Sequence, residues 1–255
     1  MIDALYISAS GLRSQQEQID VISNNVANMQ TPGFKRSRVN FAEMSSASMT
    51  GDQAPETMGS NGAGIHVLST SALFGAGEMR ATQNPLDLAI DGAGFFELSA
   101  ADGSRVYTRA GQLRIDNEGY LTSVNGLRLA QNLQIPPDAT QLRIQANGEV
   151  YGRLGTDVES TLIGTIELAS FAAPDGLQSI GENAFLPTPS SGDASFGKPS
   201  DVGFGKLQQG FLEMANVDLV DEMSSLVIAQ RAYQLNARVL QAADQVLETI
   251  NNLRR

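Results

Sequence analysis

Residues capable of nucleophilic or metal chemistry are scarce in this chain of 255 residues, which has no Cys and a single His, His66. The absence of Cys excludes thiolate metal ligands, cysteine nucleophiles and redox motifs. One His excludes a His-cluster zinc site and leaves little material for a Ser-His-Asp triad. His66 follows a Gly-rich run, and we interpret it as a surface or strand-side residue. The sequence therefore predicts no catalytic residues, no metal and no cofactor.

Three carboxylates in the middle of the chain could supply an acid pair for glycoside hydrolysis, which is carried out by two neighbouring carboxylates. They are Asp87, Asp91 and Glu97. Asp87 and Asp91 alternate with Leu and Ile residues, which is the pattern of a half-exposed strand. We therefore expect both Asp side chains to face solvent opposite the apolar set.

Two Gly-containing segments resemble nucleotide-binding motifs only in part. Gly92-Ala93-Gly94 lacks the third glycine of a dinucleotide fingerprint, because Glu97 stands in that position and a strand pattern follows. Segment 192–198 has the spacing of a Walker A loop, but Pro199 replaces the Ser or Thr that would bind Mg²⁺. We interpret the first segment as a turn or bulge and the second as coincidence.

The charge balance argues against two classes of partner. There are 28 Asp and Glu against 17 Lys and Arg, giving a net charge of −11. Nucleic acids and anionic membrane surfaces are both bound through Lys and Arg, so neither is an expected partner. No run approaches the ~18 apolar residues of a membrane-spanning helix. The first residues also lack the pattern of a secretory signal, so we expect a cytoplasmic protein or one exported without a cleaved signal peptide.

Helical periodicity marks the first 28 residues. Apolar residues recur at intervals of seven, with a second row three positions on, as in a coiled coil. The residues concerned are Leu5, Leu12, Ile19 and Val26, with Ile22 in the second row. Thr31-Pro32-Gly33 ends the predicted helix, because Pro disfavours helical geometry before it and Gly tolerates the turn.

The C-terminal segment has a longer repeat of the same kind. From residue 219 to 255 there is neither Gly nor Pro, so one helix of about 55 Å is predicted. Asn216 or Asp218 is the expected N-cap. The apolar row consists of Leu219, Leu226, Tyr233, Leu240 and Leu247, flanked by Met223 and Ile250, and a neighbouring row with Val239 and Val246 widens the face.

Between the ends the period changes to two, and Asp102-Gly103 and Asn125-Gly126 are typical of hairpin turns. The expected strands lie at 105–108, 113–115, 120–124, 127–129, 142–145, 149–151 and 162–171. Stretches 44–64 and 187–203 have the composition of loops, extended connectors or locally disordered segments.

We therefore predict an α+β fold in which long terminal helices pack as a coiled-coil-like arm with an antiparallel β domain inserted between them. The expected divisions are a helical arm and turn at 1–43, an extended connector at 44–83, the β domain at 84–186, a return connector at 187–215 and a second helical arm at 216–255.

The terminal helices allow two interpretations. They pack only on each other within one monomer, or they also pack against copies of themselves in neighbouring subunits. Arms of about 40 and 55 Å exceed what a β domain of this size covers. The C-terminal apolar face is also broader than one partner helix would bury. Both observations favour packing between subunits.

Several segments resemble a known family. Segment 23–28 reads Ser-Asn-Asn-Val-Ala-Asn and 31–35 reads Thr-Pro-Gly-Phe-Lys, which is similar to the N-terminal signature of bacterial flagellar rod and hook proteins. Segments 216–223 and 229–233 resemble their C-terminal signature, and 87–96 and 107–111 resemble their middle pattern. Within the family the resemblance is strongest with the distal-rod branch, through runs at 4–7, 135–140, 179–183 and 207–210. The residues that carry the family motif are Asn24, Asn25, Asn28, Thr31, Gly33, Phe34, Asn216, Asp218, Gln230 and Arg231.

The resemblance implies a structural subunit of the flagellar basal body and no enzyme. Such subunits polymerise helically into the rigid distal rod, which transmits torque from motor to hook and encloses the export channel. The implied partners are other copies of the chain, the proximal rod proteins, the hook protein, the P- and L-ring proteins and the flagellar type III export apparatus. The implied location is the basal body where it spans the periplasm, reached without a cleaved signal peptide.

The terminal apolar rows are then the expected subunit-packing residues, and stretch 44–64 is expected to brace subunits against bending. The motif Asn residues near residue 25 are expected to bind backbone groups where the chain turns outward. Alternatives are a proximal rod or hook protein of the same family or, from another class, a β-domain carbohydrate-binding module with helical oligomerisation arms.

Overall fold

The computed structural model describes residues 2–45, 62–100, 103–155 and 160–253. The chain divides into two compact units. We call the first the helical unit; it contains residues 1–27, 37–71 and 218–255. The second, the β unit, contains residues 28–36 and 72–217. The helices at the two ends and the antiparallel strands between them confirm the predicted α+β class.

The helical unit is built on two long helices, α1 (Ile2–Ala27) and α2 (Leu219–Leu253), which pack against each other. Strands β1 (Ser37–Ser45) and β2 (Gly62–Ala72) form a two-stranded sheet, and β1 contacts α1. The Ile65 N–H donates to the Ser10 hydroxyl oxygen at 3.3 Å, which fastens β2 to α1.

The expected N-cap of α2 is confirmed for Asp218 and wrong for Asn216. One carboxylate oxygen of Asp218 accepts from the Val220 and Asp221 N–H groups at 2.8 and 3.2 Å. Asp221 and Glu222 add negative charge to the first turn, where the helix dipole favours it. Asn216 bonds elsewhere, to backbone groups of the β unit.

The β unit contains short antiparallel strands. They are β3 (Met79–Ala81), β4 (Leu88–Asp91), β5 (Phe95–Ser99), β6 (Arg105–Thr108), β7 (Leu113–Ile115), β8 (Leu121–Ser123), β9 (Arg128–Leu129), β10 (Ala139–Ile144), β11 (Glu149–Leu154), β12 (Ser160–Thr165), β13 (Leu168–Ser170), β14 (Gln178–Gly181), β15 (Ala184–Leu186), β16 (Ser195–Gly197), β17 (Lys206–Gln209) and β18 (Phe211–Glu213).

One sheet of the β unit follows the order β14-β15-β6-β5-β9-β8-β7, with β13 joining β5 to β16. A second sheet has the order β10-β11-β12, and the pairs β17-β4 and β18-β3 are separate two-stranded sheets. The main core of the β unit centres on Phe96, Leu88 and Leu168, all fully buried. A second, aromatic cluster contains Phe95, Tyr107, Phe171 and Phe185, whose rings meet edge to face.

Most of the predicted strands are observed, and two match their predicted bounds, 105–108 and 113–115. The Asn125-Gly126 turn joins β8 to β9, with the Gly126 N–H donating to the Ser123 carbonyl at 3.0 Å. The single strand expected over 162–171 is instead the two strands β12 and β13, which belong to different sheets. Asp102 and nearly all of stretch 44–64 lie outside the described residues.

Strands also occur in the predicted connectors, because β3 pairs with β18 and β4 with β17 across more than a hundred residues of sequence. Short runs that pair this far apart carry no local turn signal. The divisions drawn from the sequence remain predictions.

The two nucleotide-motif interpretations agree with the structure. Gly92 and Gly94 have φ values of 120° and 135° and form the turn between β4 and β5. Segment 192–198 contains strand β16 and opens no helix. Asp91 is exposed, as expected, but the expectation for Asp87 is wrong. Asp87 is buried where its backbone bridges to Gln112 and accepts from the Gly210 N–H, and its carboxylate accepts a 2.9 Å hydrogen bond from the Asn84 side chain. Within the described residues, neither helix is long and apolar enough to cross a membrane.

Candidate subunit-packing surface

Small and polar side chains take part in the contact between α1 and α2. Gly11 and Asn25 of α1 are buried, as are Glu222 and Ala229 of α2. A Cβ atom on Gly11 would lie 2.9 Å from the Asn236 amide nitrogen, so the Asn236 side chain packs directly on this glycine. We call this set, with Asn236, the polar seam. Asn25 meets Glu222 and Gly11 meets Asn236, so the helices run antiparallel, and the two contacts are fourteen positions apart on each helix.

Asn25 joins three segments of the helical unit. Its amide nitrogen donates to the Ser37 carbonyl at 2.9 Å and to a Glu222 carboxylate oxygen at 3.3 Å. Its amide oxygen accepts from the Ser37 N–H at 2.9 Å. The expectation that an Asn of this motif binds backbone groups near the helix end is therefore confirmed for Asn25, which holds the first residue of β1 and α2 to the end of α1.

The predicted packing residues of α1 are mostly half-buried. Ile22 is buried, whereas Leu5, Leu12, Ile19 and Val26 each keep part of their surface in solvent. The predicted packing set of α1 is therefore covered only in part within the single chain. That the row packs against another subunit remains a prediction.

The predicted row of α2 divides into two groups. Leu226 and Leu240 are half-buried, whereas Leu219, Met223, Tyr233 and Leu247 are exposed. Ile250 lies in the helix, and its side chain is outside the described set. A large part of this apolar row is therefore in contact with water in the single chain.

A second apolar row of α2 is exposed along most of its length. Ile228 and Leu235 are 68% and 61% exposed, and Val239 and Val246 are also exposed. These four residues are spaced by seven, four and seven positions, which places them on one helix face. We call them the outer stripe. Val239 and Val246 belong to the neighbouring row predicted from the sequence. Ile228 and Leu235 were not predicted, although their spacing of seven residues could have identified them.

The motif turn after α1 belongs to the β unit. The Thr31 hydroxyl donates to the Asn28 side-chain oxygen at 3.2 Å, so Asn28 binds a side chain as well as closing the turn through its carbonyl. Gly33 has a φ of 73°, and a Cβ atom there would lie 2.5 Å from the backbone of Ala110. Only glycine fits this position. Phe34 is half-buried beside it.

A buried charge cluster lies directly after this turn. Lys35, Arg109 and Glu213 have side chains only 0%, 4% and 1% exposed. The Lys35 ammonium donates to a Glu213 carboxylate oxygen at 2.6 Å and to the Gly75 carbonyl at 2.8 Å. The other Glu213 oxygen lies 3.4 Å from Arg109 Nε. Sequence reasoning missed the cluster, because its members are 74 and 104 residues apart and no motif links them.

The electrostatics of the charge cluster follow from its burial. Desolvation lowers the pKa of the Lys35 ammonium below its ordinary value, and the Glu213 carboxylate only partly opposes this effect. Burial also lowers the pKa of the Arg109 guanidinium, again opposed by Glu213. Two cations share one carboxylate, so the cluster carries a formal charge of +1.

The remaining motif residues have two kinds of position. The Asn216 side chain donates to the Leu73 carbonyl and accepts from the Arg36 N–H, both at 2.8 Å, so it joins two stretches of the β unit. Asn24, Gln230 and Arg231 lie on exposed positions of the two helices. In the described part of the chain, no group of His, Asp and Glu side chains is arranged to hold a metal ion.

Comparison with known proteins gives matches over nearly the whole chain. Residues 5–35 match the family model of the flagella basal body rod protein, and 208–253 match the C-terminal model of the flagellar basal body rod FlgEFG proteins. Residues 89–152 match the D1 domain of the flagellar hook proteins FlgE/F/G. The chain is 37% identical to the flagellar basal-body rod protein FlgG of Agrobacterium fabrum, over 97% of this chain and 98% of that protein. It is also 37% identical to FlgG of Bacillus subtilis over the full length of both.

These relationships place the chain among structural proteins rather than enzymes. It belongs to the family of flagellar basal-body rod proteins. Its role is therefore that of a structural rod subunit in the basal body, which assembles with copies of itself and with other basal-body components.

The charge cluster generates a prediction about stability. Replacing Glu213 with Ala leaves two buried cations without a carboxylate, which costs about 3–5 kcal/mol of the free energy of unfolding. Urea unfolding of the full chain measures this loss. Glu118→Ala is the matched control, because Glu118 pairs with Arg128 at the surface and such pairs contribute about 1 kcal/mol or less. An equal loss of unfolding free energy in both variants would contradict the view that Glu213 compensates two buried cations.

Lys35 generates a prediction about pH. Because its pKa is lowered in the folded chain, the unfolded chain binds more protons between that lowered value and 10.5. The free energy of unfolding contributed by this residue therefore rises as the pH increases toward 10.5. Urea unfolding of the parent chain and of Lys35→Met across this range isolates the effect, since all other titrations are common to both. A difference that stays constant, or shrinks with pH, would show that burial does not dominate at Lys35.

Proposed function

We propose that this protein is a subunit of the distal rod and polymerises helically into the shaft that carries torque from the motor to the hook. Its terminal helices form the inner part of that polymer and surround the export channel. The observation that carries the proposal is the outer stripe, together with the exposed part of the predicted row. Side chains of this size each gain about 1.5–3 kcal/mol on burial, so a few per subunit are enough to drive assembly.

The form of the polymer follows from the kind of contact. Exposed rows along a helix meet a different surface of the next copy, and a head-to-tail contact that does not close into a ring produces a filament. The relatives named FlgG are themselves basal-body rod proteins, and their similarity covers the whole chain, which supports a rod role over that of a longer hook protein.

The further partners and the route to the rod are part of the same proposal. The proximal rod proteins and the hook protein would adjoin its two ends, and the P- and L-ring proteins would surround it. The subunit would pass through the flagellar export apparatus without a cleaved signal peptide and come to lie across the periplasm. Burial of the amphipathic faces by neighbouring subunits would then further stabilise the terminal helices, since most helical stability comes from packing.

The outer stripe gives a direct test of assembly. Ile228→Asp combined with Leu235→Asp should abolish polymerisation, because two charges would have to be buried at each subunit contact. The control is Gln234→Asp with Gln241→Asp, which has the same added charge and spacing at exposed positions outside the stripe. Sedimentation measures assembly, and circular dichroism checks that both variants keep their helices. Polymers formed by the stripe variant would remove this surface from the proposed interface.

Deletion of the gene in frame tests the place of the subunit in the flagellum. We expect basal bodies without a distal rod or hook, and cells without motility, because every more distal part is built on this one. Electron microscopy of purified basal bodies gives the result, and a plasmid copy of the gene should restore the complete structure. A complete rod and hook in the deletion strain would overturn the distal-rod assignment.

A further inference from the structure

A small cavity of about 80 Å³ lies in the β unit, next to the buried Arg109. Its walls include the rings of Phe74, Phe95 and Phe171, together with Ser170 and Ala93. Ala93 is exposed, so the cavity is reached from solvent. The lining contains a guanidinium group and no carboxylate.

Only one nitrogen of the Arg109 guanidinium, Nη2, makes a hydrogen bond among the described residues. Nη2 donates to the Gly92 carbonyl at 2.8 Å, and Nε lies 3.4 Å from Glu213. Nη1 is buried and has no hydrogen-bond partner among the described residues. A buried N–H group without an acceptor is costly, and more so on a charged group. The side chain is only 4% exposed, so solvent alone compensates poorly for this loss.

The unpartnered N–H group calls for a hydrogen-bond acceptor, and the charge around it favours an anionic one. Lys35 and Arg109 share the single carboxylate of Glu213, which leaves one positive charge uncompensated. Arg109 also lies over the face of Phe95, with 5.7 Å between its Cζ atom and the ring centroid. The guanidinium is therefore fixed in place before any ligand arrives, which reduces the entropy lost on binding.

We propose that this cavity binds a carboxylate group through Arg109. The planar guanidinium matches a planar carboxylate, and the phenyl walls suit the aliphatic carbon attached to it. The volume accommodates an acetate or propionate, or the end of an Asp or Glu side chain. The carboxylate comes either from a free small acid or from an acidic side chain of a second copy, which 28 acidic residues per chain make abundant.

Acetate binding to the full chain tests the site without requiring assembly. NMR of the ¹⁵N-labelled protein follows the Arg109 Nε–Hε signal, identified by its loss in Arg109→Lys. Titration with sodium acetate should give a saturable shift with a Kd of about 1–10 mM, the range expected for so few ligand atoms. Sodium chloride and sodium sulfate at the same ionic strength are the comparison salts. Shifts that do not saturate, or that chloride and sulfate reproduce, would overturn the proposal and leave a water-filled cavity.

A variant that fills the cavity tests the same site without changing any residue of the charge cluster. Ala93→Leu should weaken acetate binding about tenfold or more, because its side chain occupies the entrance while Arg109 and Glu213 stay in place. The matched control is Ala81→Leu, at an exposed position of β3 outside the cavity lining. Unchanged acetate affinity in Ala93→Leu would overturn the assignment of the site.

A measurement of self-association distinguishes the two possible sources of the carboxylate, a free acid and an acidic side chain of a second copy. If an acidic side chain of a second copy occupies the cavity, acetate and Ala93→Leu will both weaken association in sedimentation velocity, relative to chloride and Ala81→Leu. If the ligand is a free acid, association will be the same in all four conditions. This arm rests on the proposed assembly, whereas the NMR titration stands without it.

Discussion

The Glu213 carboxylate is the group on which the β unit most depends. It accepts hydrogen bonds from Lys35 and from the Gly77 N–H, and it lies beside Arg109. The backbone carbonyl of the same residue accepts from the Gly33 N–H at 2.8 Å. One buried residue therefore connects the turn after α1, the approach to β3, the end of β6 and strand β18. Removing the Glu213 carboxylate would leave two buried cations without their counter-charge, which makes the cluster sensitive to the loss of this one group.

The parts of the fold governed by local chemistry could be predicted from sequence, and the parts governed by distant pairing could not. Heptad spacing identifies both helices, and Asn125-Gly126 identifies its hairpin, because each signal lies within a few residues. The strands β17 and β18 are short, polar in part and paired with β4 and β3 from the other end of the β unit. Their existence depends on partners that no local pattern reveals. Distant pairing also explains why the charge cluster was not predicted and why the expectation for Asp87 was wrong. Asp87 lies between Gln112 and Gly210, which are both distant in sequence.

The candidate packing surface shows a similar division. Sequence periodicity identifies which residues of α2 are apolar, but it does not say which of them α1 covers. Gly11 leaves room for the Asn236 side chain and Asn25 meets Glu222, so small and polar residues take part in the contact. Ile22 is also buried, whereas many of the other large apolar side chains of the two helices are half-buried or exposed. The helix pair therefore leaves a large part of the apolar surface of α2 available for other molecules.

The antiparallel contact of α1 and α2 also bears on how the pair responds to force along its axis. Apolar rows that repeat every seven residues look the same after a shift of seven residues, about 10.5 Å, so they cannot by themselves distinguish one alignment from the next. The Asn25–Glu222 hydrogen bond and the close approach of Gly11 to Asn236 each occur once and do not repeat. A shifted pair would bury Glu222 without Asn25 and bring bulkier residues to the place of Gly11. These two contacts therefore select one alignment of α1 and α2. A force that slides one helix along the other would have to break both contacts.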